Sequence, residues 1–399
     1  MVTETYVPEV NGVALTLAQL VGGLRARGHR VSLVRPRQPV DDRDLDTTLV
    51  RALSLPGYRE ARVGLPARAS LGARWTTDPP DVVYVATEGP LGWSAVRAAR
   101  RLRIPILSGF HTDFPSYARH YWLGWLAPLA LAYLRHLHNA TQATVVASAE
   151  LRERLQHAGF ENLRVLGRGV DGDHFTPDRR SAALRRSWGA GPGDVVALYV
   201  GRLAAEKNIP VAIEAYRAMQ RERRGVRFAL VGGGPLRAVL EGAHPDLHFC
   251  GVRTGSELAE HYASADLFVL PSETETFGNV TLEAMASGLA VLAYDRAAAR
   301  LHVRDGHSGA LVPTGQATAF VAAAAALARC PQEVAAMGRR ARADAERLDW
   351  RAVVERFEAL LMEVIAESAA RRGDTALRGA GLRVSGRAGG TLPRGGDGW

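Results

Sequence analysis

Short apolar runs alternate with amphipathic helical stretches along most of the chain, and they do so in two successive series. This alternation leaves few folds open. A strand buried on both faces reads as a continuous apolar run, and a helix between two such strands carries the chain back for parallel pairing. The first series opens with GVALTLAQLVGGLRARGH (12–29), a helix closed by Gly28 and followed by the strand RVSLVRP. DVVYVAT (81–87) and IPILSGFH (104–111) read as further strands with the helix GWSAVRAARRL between them, and ATVVASA (143–149) leads into the helix ELRERLQHAG. The second series follows the turn-rich segments GVDGDHFTPDRR and GAGPGD (189–194). Its five strand candidates are VVALYVG, RFALVGG, LHFCG, DLFVLP and LAVLAY.

The pattern therefore predicts α/β architecture with two doubly wound, Rossmann-like units. Residues 1–170 form the first, 171–194 a linker and 195–348 the second. DWRAVVERFEALLMEVIAES (349–368) is a terminal amphipathic helix. Residues 369–399, rich in Gly and Arg and without apolar periodicity, are expected to be a disordered basic tail. At 399 residues the chain is long enough for two cores of ordinary size. Ligands in such folds sit beyond the strand carboxyl ends, so the cleft between the units is where function is sought.

Composition narrows the class. The two cysteines, Cys250 and Cys330, suggest neither a disulfide framework nor a zinc site. The first 20 residues lack a secretory pattern, and YWLGWLAPLALAYL (121–134) is too short to span a bilayer, so a cytoplasmic protein is expected. The net charge of +9 is uneven: residues 1–170 hold 21 basic and 14 acidic side chains, whereas 171–367 hold 23 and 25. A basic first half and tail could attract nucleic acid, anionic lipid or phosphorylated ligands, or form simply an Arg-rich solvated surface. Nucleic acid is not among the expected partners.

Three loops run from a strand end into a helix. In ETYVPEVNGV (4–13), Gly12 opens a helix and lets an anionic ligand approach the backbone N–H groups. In YVGRLAAEKNIP (199–210), Arg202 and the chain's only lysine, Lys207, stand just before a helix that Pro210 helps to start. Arg202 can bind two oxygens at once and Lys207 acts as a point charge, which suits a diphosphate. The alternative is a solvated Glu206–Lys207 surface turn. In PSETETFGNVTLEAMASG (271–288), Glu275 lies in the loop and Glu283 in the following helix. One carboxylate can hold a sugar and the other a ribose, while the N–H groups near Gly278, Asn279 and Val280 face the phosphates between them. Glu273 reads as a solvated residue.

Together these loops resemble glycosyltransferase family 4, retaining enzymes of the two-domain GT-B fold. The resemblance covers nearly the whole chain to about residue 367. It rests on PEVNGV, FHTDF, VGRLAAEKN, VGGGP, the GVRTGSELAEHYASADLFVLPS run and, most specifically, the E-x7-E element in TETFGNVTLEAMASG. GFHTDFPSYARHYWLGW and VLGRGVDGDHF are more similar to the subgroup of bacterial mannosyltransferases and sulfoquinovosyl or galactosyl lipid synthases. The resemblance implies that Glu275 holds the donor sugar and Glu283 the ribose. It further implies that Arg202 and Lys207 bind the diphosphate, that Gly12 closes over it, that His111 lies near the reacting sugar and that Arg253 holds the base. It implies a nucleotide-sugar donor, such as GDP-mannose or a UDP-sugar, and no cofactor or metal, because Arg202 and Lys207 take the metal's place.

The implied acceptor is a lipid or glycan. YARHYWLGWLAPLALAYLRHLH suits either a surface resting on anionic lipid at the inner face of the plasma membrane or a buried helix pair. Family members begin with a full strand before TETY, whereas only Met1, Val2 and Thr3 precede Glu4 here. A misassigned start codon is favoured over a sheet with an exposed strand edge. Two alternatives stand beside this reading. One is a nonenzymatic sugar-nucleotide binder. The other is an NAD-dependent dehydrogenase built on VGGGPL, which lacks the acidic residue expected about 20 positions further on.

Overall fold

The structure is a computed structural model that describes residues 1–9, 11–38, 46–55, 58–111, 127–275, 277–371 and 373. Its strands are β1 (Leu33–Pro36), β2 (Thr47–Val50), β3 (Ala52–Leu55), β4 (Tyr58–Gly64), β5 (Val83–Val85), β6 (Ile106–Phe110), β7 (Ala143–Val146), β8 (Leu163–Val165), β9 (Val195–Val200), β10 (Val226–Val231), β11 (His248–Gly251), β12 (Leu267–Leu270), β13 (Ala290–Tyr294) and β14 (Gly309–Val312).

In the second unit the six strands β11-β10-β9-β12-β13-β14 form one parallel sheet. Every residue of β9, β12 and β13 is buried, because helices cover both faces; hence the unbroken apolar runs. Five of these strands match the sequence reading, and the sixth, β14, is an addition to it. The order reverses between β9 and β12, so the loops that leave these two neighbours diverge to opposite faces and open a crevice.

The first sheet runs β2, β1, residues 1–3, β5, β6, β7, β8. Val2 bridges β1 at Val34 and β5 at Val85. The Val2 N–H donates to Tyr84 O at 2.8 Å, and the Ala86 N–H donates to Val2 O at 2.9 Å. The three residues before Glu4 therefore fill the strand position that the sequence reading left nearly empty, and β5 does not present a bare edge there. A hairpin of β3 and β4 stands beside this sheet.

The segment 171–194 is more than a connector. It contains the helix Ala182–Ser187, and Trp188 and Ala190 lie in the second unit's core. The terminal helix spans Trp350–Arg371, so it extends into the first residues of the expected tail, whose remainder lies outside the described residues apart from Gly373. It returns to the first unit, where Val354, Phe357, Leu360 and Val364 pack with Leu17, Leu20, Val21 and Leu24 of the helix Gly12–Ala26. Its partner is thus a helix more than 300 residues earlier in the chain.

Candidate active site

The crevice in the second sheet explains why two distant sequence motifs meet. β9 ends at Val200 and β12 at Leu270, and the loops that follow are neighbours at the reversal. Close packing here demands glycine. Gly232, just beyond β10, has φ +142°, and a Cβ on it would overlap the carbonyl oxygen of Gly201. This is a packing role for the VGGGP glycines.

After Gly201 the chain turns through a short 3-10 segment, Ala205–Lys207, and enters the helix Ile209–Glu222 with Pro210 in its first turn. Lys207 is carried across to the β12 loop, where its Nζ lies 2.5 Å from Glu275 Oε1, and both side chains are only 13% exposed. The solvated Glu206–Lys207 turn is therefore set aside: Glu206 is buried, and its Oε1 lies 3.7 Å from Arg202 Nη1 instead. Glu273 also departs from its expected solvated role. It accepts from Asn208 Nδ2 at 3.2 Å, and its carbonyl accepts from Arg296, so it ties the two loops together.

The helix Asn279–Ala286 begins after Gly278, whose left-handed φ of +93° turns the chain into the helix. Val280 directs its side chain onto the core. Asn279 Nδ2 reaches over the cleft to Gly12 O and Thr16 Oγ1, each at 3.5 Å, so the two helix starts face one another. Gly12 follows Asn11, whose side chain accepts from the Ala14 N–H at 2.9 Å and caps the helix.

Glu283, one turn into its helix, accepts a hydrogen bond from Tyr262 Oη at 2.9 Å. Burial of the carboxyl pushes its pKa up to about 7, and the tyrosine bond offsets only part of that rise. Tyr262 was not singled out in the sequence. It sits in the helix Gly255–Ala263 among apolar neighbours, where nothing in its spacing distinguishes it from core. Arg253 precedes that helix and donates to Glu257 Oε2 at 3.2 Å, while its buried Nε has no hydrogen-bond partner among the described residues.

In the first unit His111 follows β6 and is 5% exposed. Its Nε2 lies 2.6 Å from Tyr84 Oη on β5, and its Nδ1 lies 2.6 Å from Arg168 Nη2 beyond β8. Both partners were missed as site residues, although Arg168 lies within the VLGRGVDGDHF motif. The rest of FHTDF, from Thr112, lies outside the described residues, as does the stretch up to Trp125 and Leu126. The described residues contain no group of three or more His, Cys, Asp or Glu placed to hold a metal ion.

Two parallel-sheet units face each other, with cations and a helix start on one side of the cleft and a second helix start and a buried histidine in the unit opposite. Residues 10–174 match the family model described as Glycosyltransferase Family 4, and residues 194–330 match that described as Glycosyl transferases group 1. The chain belongs to glycosyltransferase family 4 and is a glycosyltransferase of GT-B fold. It is 36% identical over 325 residues to a GDP-mannose-dependent alpha-mannosyltransferase of Mycobacterium tuberculosis, covering 79% of this chain and 84% of that one. It is 30% identical to the sulfoquinovosyl transferase SQD2 of Arabidopsis thaliana, over 87% of this chain and 70% of that one. In fold it is similar to a sucrose-phosphate synthase from Thermosynechococcus elongatus, with a TM-score of 0.75 at 20% identity over 92% and 98% of the two chains.

Proposed function

We propose that this protein transfers a mannosyl group from GDP-mannose to a lipid or glycan acceptor, with the anomeric configuration retained and without a metal ion. The observation that carries the donor is the 36% identity across 84% of a GDP-mannose-dependent mannosyltransferase. Residues 1–170 serve the acceptor side and 195–348 the nucleotide sugar. Arg253 takes the base, Glu283 the ribose and Glu275 the mannose. Arg202 and Lys207 take the diphosphate, with the N–H groups at Gly278, Asn279 and Val280 and the helix start at Gly12.

The Lys207–Glu275 pair supports this division of labour. Each charge satisfies the other at 2.5 Å. A phosphate oxygen offers Lys207 a new partner and frees Glu275 to accept from a sugar hydroxyl, so neither charge is left buried alone. In the transfer the acceptor O–H attacks C1 of the sugar while the bond from C1 to the diphosphate oxygen breaks. The acceptor proton passes to the departing diphosphate on the same face, and GDP leaves. Negative charge grows on the diphosphate, so the stabilisation that Arg202, Lys207 and the two helix starts give it is greatest in the transition state.

The test is a panel of GDP-, UDP- and ADP-sugars, scored by donor consumption and by proton NMR of the fresh product. GDP-mannose should be consumed fastest, give an α-linked product and react equally well in EDTA. Preference for a UDP-sugar would move the protein toward the lipid synthases. An inverted product, or activity lost in EDTA and restored by magnesium, would sink the retaining, metal-free reading.

A further inference from the structure

His111 has a protein partner on each ring nitrogen, and the chemistry of those partners fixes its proton. A guanidinium carries only N–H donors, so the 2.6 Å contact from Arg168 Nη2 requires a lone pair on Nδ1. The ring proton must then sit on Nε2, which donates to Tyr84 Oη at 2.6 Å. An imidazolium would set N–H against N–H beside a cation.

The surroundings sharpen this. Arg168 is 7% exposed, its Nη1 has no hydrogen-bond partner, and no carboxylate pairs with it among the described residues. A second positive charge beside a buried guanidinium is costly. Among the described residues, the charged and titratable groups around the ring are Tyr84 from β5, Arg168 from beyond β8 and His138 from the helix Ala127–Asn139. Glu88 stands behind them, 3.4 Å from His138 Nε2. Burial, then Arg168 and His138, hold the His111 pKa well below its usual value. Arg168 itself, lowered to about 10 by burial, stays cationic near neutrality. Tyr84 is held from its other side by Phe357 of the terminal helix, edge-on at 4.9 Å between ring centroids.

We propose that Arg168 is a positioning residue that locks His111 as a neutral imidazole, its Nδ1 accepting and its Nε2–H presented, so that His111 meets the substrate as a hydrogen-bond donor and not as a general base. The lock rests on geometry within the first unit; the encounter with the sugar rests on the placement of His111 under Proposed function. To reach the sugar, the Nε2–H exchanges Tyr84 Oη for a substrate oxygen.

The experiment is an NMR titration of the His111 ring in the full chain, assigned by difference against His111→Asn, between about pH 5 and 8. Wild-type His111 should stay neutral throughout. Arg168→Met removes donor and charge, and should raise the midpoint by about one pH unit or more. Arg168→Lys should restore the neutral ring. Tyr84→Phe keeps the guanidinium and should leave the titration unchanged, which keeps the idea testable if Arg168→Met folds poorly. With GDP-mannose, Arg168→Met should acquire an acid limb in kcat that the wild type lacks and that His111→Asn/Arg168→Met loses. A wild-type ring that protonates near pH 6.5, or an equal rise in Tyr84→Phe, would overturn the lock. Absence of sugar turnover would defeat the proposed function alone, since the ring titration needs no substrate. Wild-type turnover in His111→Asn would defeat only the encounter with the sugar.

Discussion

If Glu283 holds the ribose as proposed, one carboxyl ties stability to ligand binding. Its folded-state pKa is raised by burial from 4.5 to about 7. Between those values the folded protein holds a proton that the unfolded chain has lost, so this group's contribution falls as pH rises. It is fully present below about pH 4.5 and lost as pH passes about 7. A ribose held there would need the opposite state, because an ionised carboxylate is the stronger acceptor. GDP-mannose affinity should therefore improve from pH 6 to pH 8, by about 1 kcal/mol or more, as expected for a hydrogen bond that gains a charged partner. Glu283→Gln should abolish that pH dependence and weaken binding at pH 8 by roughly 1–3 kcal/mol. It should also gain stability relative to wild type as pH rises, since no buried carboxylate remains to ionise. Calorimetric titration and urea denaturation at both pH values check the two halves, and a variant that binds like wild type at pH 8 would remove Glu283 from the ribose. The sequence named Lys207 because it is the chain's only lysine, and Glu275 and Glu283 because their spacing within the loop and helix is specific. It could not show that Lys207 and Glu275 touch, since that contact depends on which strands are neighbours at the reversal.

At the scale of elements, the terminal helix carries the clearest interlock. It was legible as amphipathic, but amphipathicity says only that a face is buried, not against what. Gly23 supplies the missing detail. Here the helix Gly12–Ala26 presses against Val354, and a Cβ on Gly23 would overlap Val354 Cγ2. Two effects of Gly23→Ala then oppose each other. Alanine in a helix interior gains about 0.5–1 kcal/mol over glycine, while overpacking a filled contact costs typically about 1–3 kcal/mol. In the wild-type background the substitution should destabilise. In a Val354→Ala background the obstruction is gone, and the same substitution should stabilise by about 0.5–1 kcal/mol. Denaturant unfolding of the four proteins of this cycle measures the sign in each background. An unchanged sign would mean that the two helices do not meet at these residues. The strand that escaped the sequence reading, β14, fails for a related reason. GALV is four residues long, starts with glycine and has two partly exposed positions, so its pattern is too short to register without its neighbour β13.

For the whole molecule, the two-unit arrangement was legible because two runs of strand–helix alternation can bury their apolar surface in few other ways. The route of the last helix back to the first unit was not, because it is a long-range choice among buried faces. The uneven charge belongs to this scale too, since an electrostatic field sums over a surface and not over a motif. The first unit is basic, the second nearly balanced, and among the described residues no helix is long and apolar enough to cross a membrane. On the helix Ala127–Asn139, Leu134 and Leu137 are buried while Leu129 is 68% and Tyr133 40% exposed. This described portion of the aromatic–basic stretch thus has an inward face and an outward apolar one. Apolar anchors on a basic unit suit a surface on anionic lipid, each cation near that surface adding about 1 kcal/mol. Such attraction is screened as the Debye length shrinks from about 10 Å at 0.1 M salt to about 3 Å at 1 M. If the protein works on a lipid acceptor, it should sediment with vesicles of phosphatidylcholine and phosphatidylglycerol at low salt and be released as salt rises. Vesicles of phosphatidylcholine alone should capture little. Leu129→Glu, placed on the exposed face, should reduce capture without changing GDP-mannose affinity, because the donor cleft is formed by other residues. Equal partitioning to both vesicle types would show apolar contact without charge selection, and no partitioning to either would favour a soluble glycan as the acceptor.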